Sequence, residues 1–256
     1  MSKLIIALIS AATSVVVTLL AQWLTARNRR RQKRLDEQRL VLHTYIYPLR
    51  FALEQAYFRN AKLLESIERG DPESLAWLQF AETGAAMAAR PDAWFNENKS
   101  GYYHVSSCYI AACLFHRMGR LRAELPYVAL SAEDDAQLIG LMYAVTYSFL
   151  ADEGVYHILQ DSMGVDLYLA DLQRIRNYRE YCQLLKQPNT ADWHNKLLDF
   201  YAQAGRGERT AQLREIVASI ARLLTHIETL LGARSTAATD RWVVDRSFVD
   251  RPLDPP

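Results

Sequence analysis

Glu153, His157 and Asp161 stand four residues apart, so a continuous helix would bring all three onto one face. An imidazole between two carboxylates has the parts of a general base or of a divalent-metal site. The same spacing is common on solvated helix faces, and Gly154 weakens the helix that the arrangement requires. The trio is therefore the candidate catalytic set of an alternative, enzymatic reading only. A second set is Arg174, Arg176, Tyr178 and Arg179. Arginine beside tyrosine can receive a phosphate-bearing small ligand through bidentate bonds and ring stacking, which makes these four the candidate ligand-binding residues. A solvated helix face with cation–π contacts is the plainer explanation of the same pattern. His43, His104, His116, His194 and His226 have no comparable partners nearby in sequence.

Other chemistry is missing from the pattern. There is no glycine-rich phosphate loop, no HExxH, no CxxC and no GxSxG. Cys108, Cys113 and Cys182 stand among apolar residues without metal-like spacing, which reads as three small core residues in a reducing compartment. No metal and no cofactor is expected. Tyrosines are frequent after the Trp94-Phe95 pair: Tyr102, Tyr103 and Tyr109 come first, then Tyr143, Tyr147, Tyr156, Tyr168, Tyr178 and Tyr181. A tyrosine buries its ring and keeps a polar tip, which suits wet cores and ligand pockets alike.

The elements that must hold these residues begin with an uncharged stretch, residues 4–24. As a helix it would be roughly 31 Å long at about 1.5 Å per residue, close to the thickness of a bilayer's hydrocarbon core. Arg27, Arg29, Arg30, Arg31, Lys33 and Arg34 follow directly, as in a stop-transfer sequence, and Trp23 falls at the interfacial end. A cleavable signal peptide fits less well, because the apolar run is too long and the −3 position of a site at Ala21 or Ala26 is held by a large leucine, Leu19 or Leu24. Residues 27–39 carry seven positive side chains against Asp36 and Glu37, whereas only Lys3 precedes the stretch. The positive-inside bias then leaves the amino terminus outside the cell membrane and the following domain in the cytoplasm. Removing that net +5 and Lys3 from the whole-chain +1 leaves −5 over residues 40–256. A basic collar on an acidic body, adjacent to a span, favours lipid headgroups over nucleic acid as the collar's partner.

The rest is patterned for helices nearly throughout, with sparse glycine and proline and no convincing strand alternation before residue 241. A helical stripe runs over residues 40–70, interrupted by Pro48, which predicts a kink or break near Ile46 and Tyr47. Asp71 and Pro72 open a further helix. Residues 92–101 read as a polar loop anchored by Trp94 and Phe95, and residues 102–122 as a helix. Ser131 and Asp134 resemble a capping box. Residues 152–186 form a helical region, bent or split at Gly154 and Gly164. Pro188 punctuates a short helix, and residues 208–231 form a clean amphipathic one.

The expected fold is all-α: an N-terminal single transmembrane helix (1–26), a basic juxtamembrane collar (27–39), a soluble multi-helix bundle (40–233) and an extended tail (234–256). The expected function is non-enzymatic, a membrane-anchored cytoplasmic module that binds a protein partner or small ligand. The alternatives are a tethered hydrolase or nuclease, and a ligand-gated effector forming homo-oligomers through Ser10, Ser14 and Thr18 of its span.

Overall fold

A computed structural model describes residues 20, 22–33, 36, 40–70, 87, 89–97, 99–124, 132–151 and 154–231. The chain divides into two units, Met1–Thr44 and Tyr45–Pro256. In the first, residues 22–33 are helical and exposed along their whole length, so Arg27, Arg29, Arg30, Arg31 and Lys33 lie at the surface. The Arg27 guanidinium sits 5.3 Å from the centre of the Trp23 ring. Among the described residues no helix is long and apolar enough to cross a membrane. The expected span falls outside the described residues except for positions 20 and 22–24, and Arg34 of the collar is also outside them.

The second unit is predominantly helical. A π-helical turn, Leu42–Ile46, leads into α1, Tyr47–Arg69. Pro48 therefore does not break the helix; it occupies the first turn of α1, where a missing N–H costs nothing. Gly70, at φ 63°, ends α1 in the left-handed conformation and donates its N–H to Ile67 O at 3.0 Å.

Five of the later elements build the core. They are α3 (Lys99–Glu124), α4 (Ala132–Leu150), α5 (His157–Asp166), α7 (Pro188–Gly205) and α8 (Thr210–Leu230), with α2 (Asp92–Glu97) and α6 (Tyr178–Leu185) at the periphery. Helix α8 packs on both α1 and α4, α3 lies between α1 and α5, and α7 covers α3, α5 and α6. The stripe of α8, from Leu213 through Ile216, Ile220 and Leu223 to Ile227, is fully buried. Buried polar groups are tied to backbone. Asn60 donates to Ala56 O at 2.7 Å and accepts from the Tyr201 hydroxyl at 3.2 Å. The last turn of α4 leaves carbonyls without intrahelical partners. Gln160 supplies its amide to Thr146 O (2.9 Å) and Val155 O (2.7 Å), and Gln212 to Ser148 O and Phe149 O (both 3.1 Å).

Helices α3 and α5 approach most closely at Gly164. A Cβ there would stand 2.9 Å from His116 N and 3.0 Å from its Cα, so only glycine fits without moving backbone. His116 Nδ1 lies 2.8 Å from Gly164 O across the same contact.

Two readings of the sequence need correction. The polar loop at 92–101 is instead helical at Asp92–Glu97, because Trp94 and Phe95 bury against each other edge to face at 5.1 Å and fold the segment around them. The helical region 152–186 is split more deeply than a bend. Residues 154–156 are not helical, and after α5 a short antiparallel ribbon pairs β1 (Tyr168–Leu169) with β2 (Arg174–Ile175). The turn of this ribbon places Gln173 at φ 50°. The helix start at Asp71, the cap at Ser131 and the tail 234–256 lie outside the described residues.

Candidate functional site

The β2 strand ends at the residue that opens the most site-like cavity of the domain. Arg176 N donates to Leu167 O at 2.8 Å, Arg176 Nε to Asp166 O at 2.9 Å, and Arg176 O receives the Tyr109 hydroxyl at 2.8 Å. Three bonds thus fix Arg176 while its terminal nitrogens keep no partner among the described residues. The next residue, Asn177, caps α6: its Oδ1 accepts the Glu180 N–H at 3.0 Å, and its own N–H donates to Glu180 Oε2 at 2.8 Å.

The cavity in front of them has a volume of about 540 Å³. One wall is α1, with Pro48, Phe51, Ala52 and Gln55; the spacing puts these four on one helix face. The opposite wall is α3, with Tyr109, Ile110, Cys113 and Arg117, and the rim is Ile175, Arg176 and Asn177. Tyr109, Cys113 and Arg117 are four apart and therefore align along α3. Among the described residues no carboxylate lines the cavity. The hollow between Trp23 and Arg31, by contrast, is the open side of one exposed helix without a second wall.

Arg117 is the unusual member. It is half-buried, and among the described residues it has no ion pair, hydrogen bond or ring partner. Burial pulls its pKa below the ordinary guanidinium value; the nearby Cys113 works against this, and Arg120 adds to it. It stays charged, since arginine does not lose its proton in proteins. Cys113 is pushed up to about 11 by burial, against smaller opposing effects of Tyr109 and Arg117. It is thus a thiol near neutral pH and a poor nucleophile. Burial also raises the Tyr109 phenol.

Of the four expected ligand-binding residues, the fold brings only Arg176 to this cavity. Arg174 is committed to Glu180 through two bonds of 2.7 Å, which raises the arginine and holds the Glu180 carboxyl down at about 2. Tyr178 turns the other way, its hydroxyl donating to Phe95 O at 3.1 Å, and Arg179 is exposed on the outer face of α6. Arg117, Asn177 and Phe51 were not singled out by sequence reading. The four-residue spacing from Tyr109 to Cys113 to Arg117 was visible, but the lack of a counter-ion was not.

Of the expected catalytic trio, Glu153 lies outside the described residues. Helix α5 begins at His157, after the non-helical residues 154–156, so the single helical face that the trio needs does not extend back from His157. Asp161 pairs with Arg122 at 2.5 Å, and that arginine also lies 6.0 Å from the Tyr143 ring centre. No group of three His, Cys, Asp or Glu among the described residues could hold a metal ion. His157 is exposed at the first turn. Replacing it with alanine is expected to change stability by no more than about 0.5 kcal/mol, measured by urea unfolding. A loss of several kcal/mol would show that the side chain has a partner the structure does not give it.

Three histidines without local sequence partners find them through space. His104 Nε2 lies 2.8 Å from Leu198 O, and burial lowers its pKa. His116 stacks on Tyr168 at 5.4 Å. His194 is fully buried, with Nδ1 3.1 Å from the Tyr181 hydroxyl and Nε2 3.5 Å from the Asp166 carboxylate. This Tyr181–His194–Asp166 chain joins α6, α7 and α5; Tyr181 and His194 are fully buried, and the Asp166 side chain is partly exposed. No protein-family model matches the sequence, and no match is found among curated proteins or solved structures.

Proposed function

We propose that this protein is a membrane-anchored cytoplasmic module that binds a small ligand in the cleft between α1, α3 and the β2–α6 junction. The observation that carries the reading is Arg117, a half-buried cation that has no counter-ion among the described residues and lines an otherwise largely apolar cleft. Ligand pockets are concave, mostly apolar and supplied with a few polar groups that fix orientation. At about 540 Å³ the cleft is within the usual range for small-molecule sites. A concave site of this kind supports a small ligand over a protein partner, whose interface would be broad and flatter.

The anchor rests on the sequence: the uncharged residues 4–24, the basic residues that follow, and the charge bias across them. The full-length protein is expected to stay in the membrane pellet after washing with carbonate or high salt. Release by salt alone would overturn the anchor and leave the cleft untouched. For the cleft, thermal shifts of the full-length protein in lipid nanodiscs against water-soluble metabolites test the site directly. Ligands that stabilise it should lose their effect in Arg117→Met and in Phe51→Ala. Stabilisation that survives both substitutions would place binding elsewhere.

A further inference from the structure

The charges of the cleft select among small ligands. Among the described residues its lining carries two cations, Arg117 and Arg176, and no acid. Arg176 is held by its Nε, and its terminal nitrogens keep no partner among the described residues. Asn177 uses its Oδ1 for the helix cap, and its Nδ2 is left to donate. The apolar lining comes from the other sides: Phe51 is 63% exposed although it is a large aromatic ring, and Ile110 and Ile175 flank it.

On this basis, and resting on the cleft reading above, we infer that the ligand is an amphipathic organic carboxylate: its carboxylate bonds to Arg117 with Arg176 and Asn177 alongside, and its hydrocarbon body covers Phe51, Ile110 and Ile175. A carboxylate matches the planar fork of a guanidinium with two parallel bonds. Binding gives Arg117 a counter-ion, which it does not find among the described residues, and removes an exposed ring from water. A phosphate fits worse. It carries more charge and three acceptor oxygens, and only Arg117 among the lining cations is wholly uncommitted. A neutral amphiphile would cover the ring but leave the buried cation without a partner. An organic cation would meet two like charges.

Cys113 reports on occupancy. It lines the cleft, whereas Cys108 and Cys182 are buried in the core. Full-length protein in lipid nanodiscs is alkylated with iodoacetamide at about pH 8.5, for long enough that the weakly nucleophilic Cys113 thiol reacts without ligand, and modification at Cys113 is read by peptide mass. The probes are phenylbutyrate, phenylbutanol, phenylbutylamine and inorganic phosphate, all soluble in water. Saturating phenylbutyrate is expected to slow modification by about tenfold, as at a ligand concentration near ten times Kd. The alcohol, the amine and phosphate should each leave the rate within about twofold. In Arg117→Met the concentration of phenylbutyrate needed should rise at least about tenfold, for loss of a charge-assisted bidentate bond. In Phe51→Ala, a surface change that leaves the core intact, it should rise several-fold.

Protection by phenylbutanol equal to that by phenylbutyrate would overturn the carboxylate assignment and leave the cleft as a binding site. Protection by inorganic phosphate alone would do the same and make the ligand a phosphate. If no probe protects Cys113, and the metabolite shifts survive both substitutions, the carboxylate inference and the cleft reading fall together.

Discussion

Gly164→Val should be strongly damaging to the described fold, lowering unfolding free energy by about 3–5 kcal/mol. A side chain at this position meets backbone, not flexible side-chain ends: His116 N at 2.9 Å, His116 Cα at 3.0 Å and Phe115 C at 3.2 Å from the first added carbon. Neither helix can yield alone, because α3 is held on its far side by α1 and α5 is tied to α4 through Gln160. Separating them also stretches the 2.8 Å contact from His116 Nδ1 to Gly164 O. Better helix propensity gives back only about 0.5 kcal/mol for valine and about 1 kcal/mol for alanine. Sterics should therefore win in both, with Gly164→Ala the milder. Urea unfolding followed by circular dichroism checks this. A Gly164→Val midpoint equal to wild type would mean that α3 and α5 do not meet as described.

A second large effect should come from alkali. Burial raises Cys108 well above its ordinary value, and raises Cys113 and Cys182 to about 11. It also raises Tyr109, Tyr178, Tyr181 and Tyr201. Between pH 9.0, the ordinary thiol value, and about 11 the unfolded chain has shed protons that the folded chain still holds. Each such group removes about 1.4 kcal/mol of stability per pH unit, fully present below the unfolded pKa and lost as pH rises through the folded one. Several acting together should unfold the domain near or below pH 11. The acid side has the opposite sign. His104 and His116 are held below 6.5 by burial, so their contribution is present above that pH and is lost as it falls. Urea midpoints from pH 5 to 11 should form a plateau between about 6.5 and 9 with a steep alkaline edge. A profile flat to pH 11 would contradict the burial of the thiols.

Periodicity made most helices legible. The stripe at 208–231 becomes α8, the run at 102–122 becomes α3 with a slightly earlier start, and Gly70 ends α1 as its φ of 63° requires. What periodicity could not reveal was the segment at 152–186. Two-residue strands are too short to alternate, and the ribbon closes through Gln173, whose left-handed φ has no sequence signature there. Residues 92–97 were hidden for another reason. Their helix depends on Trp94 and Phe95 finding cover from α3, which is tertiary context. The candidate site was partly legible. Arg176 was named from its neighbours, yet its three companions serve an ion pair, a backbone carbonyl and exposed surface. Arg117 stood in plain view on one face with Tyr109 and Cys113. Its interest comes from having no counter-ion among the described residues, and a linear reading cannot show that.

The position of α8 also sets an order of events in the life of the chain. This helix is the last of the described elements, and it lies against both α1 and α4. It also supplies Gln212, which completes the end of α4. While a ribosome is still making α8, the apolar faces of α1 and α4 have nothing to cover them. A nascent chain stalled anywhere before Leu230 is left with its two hydrophobic sides open, a state that chaperones hold and proteases clear.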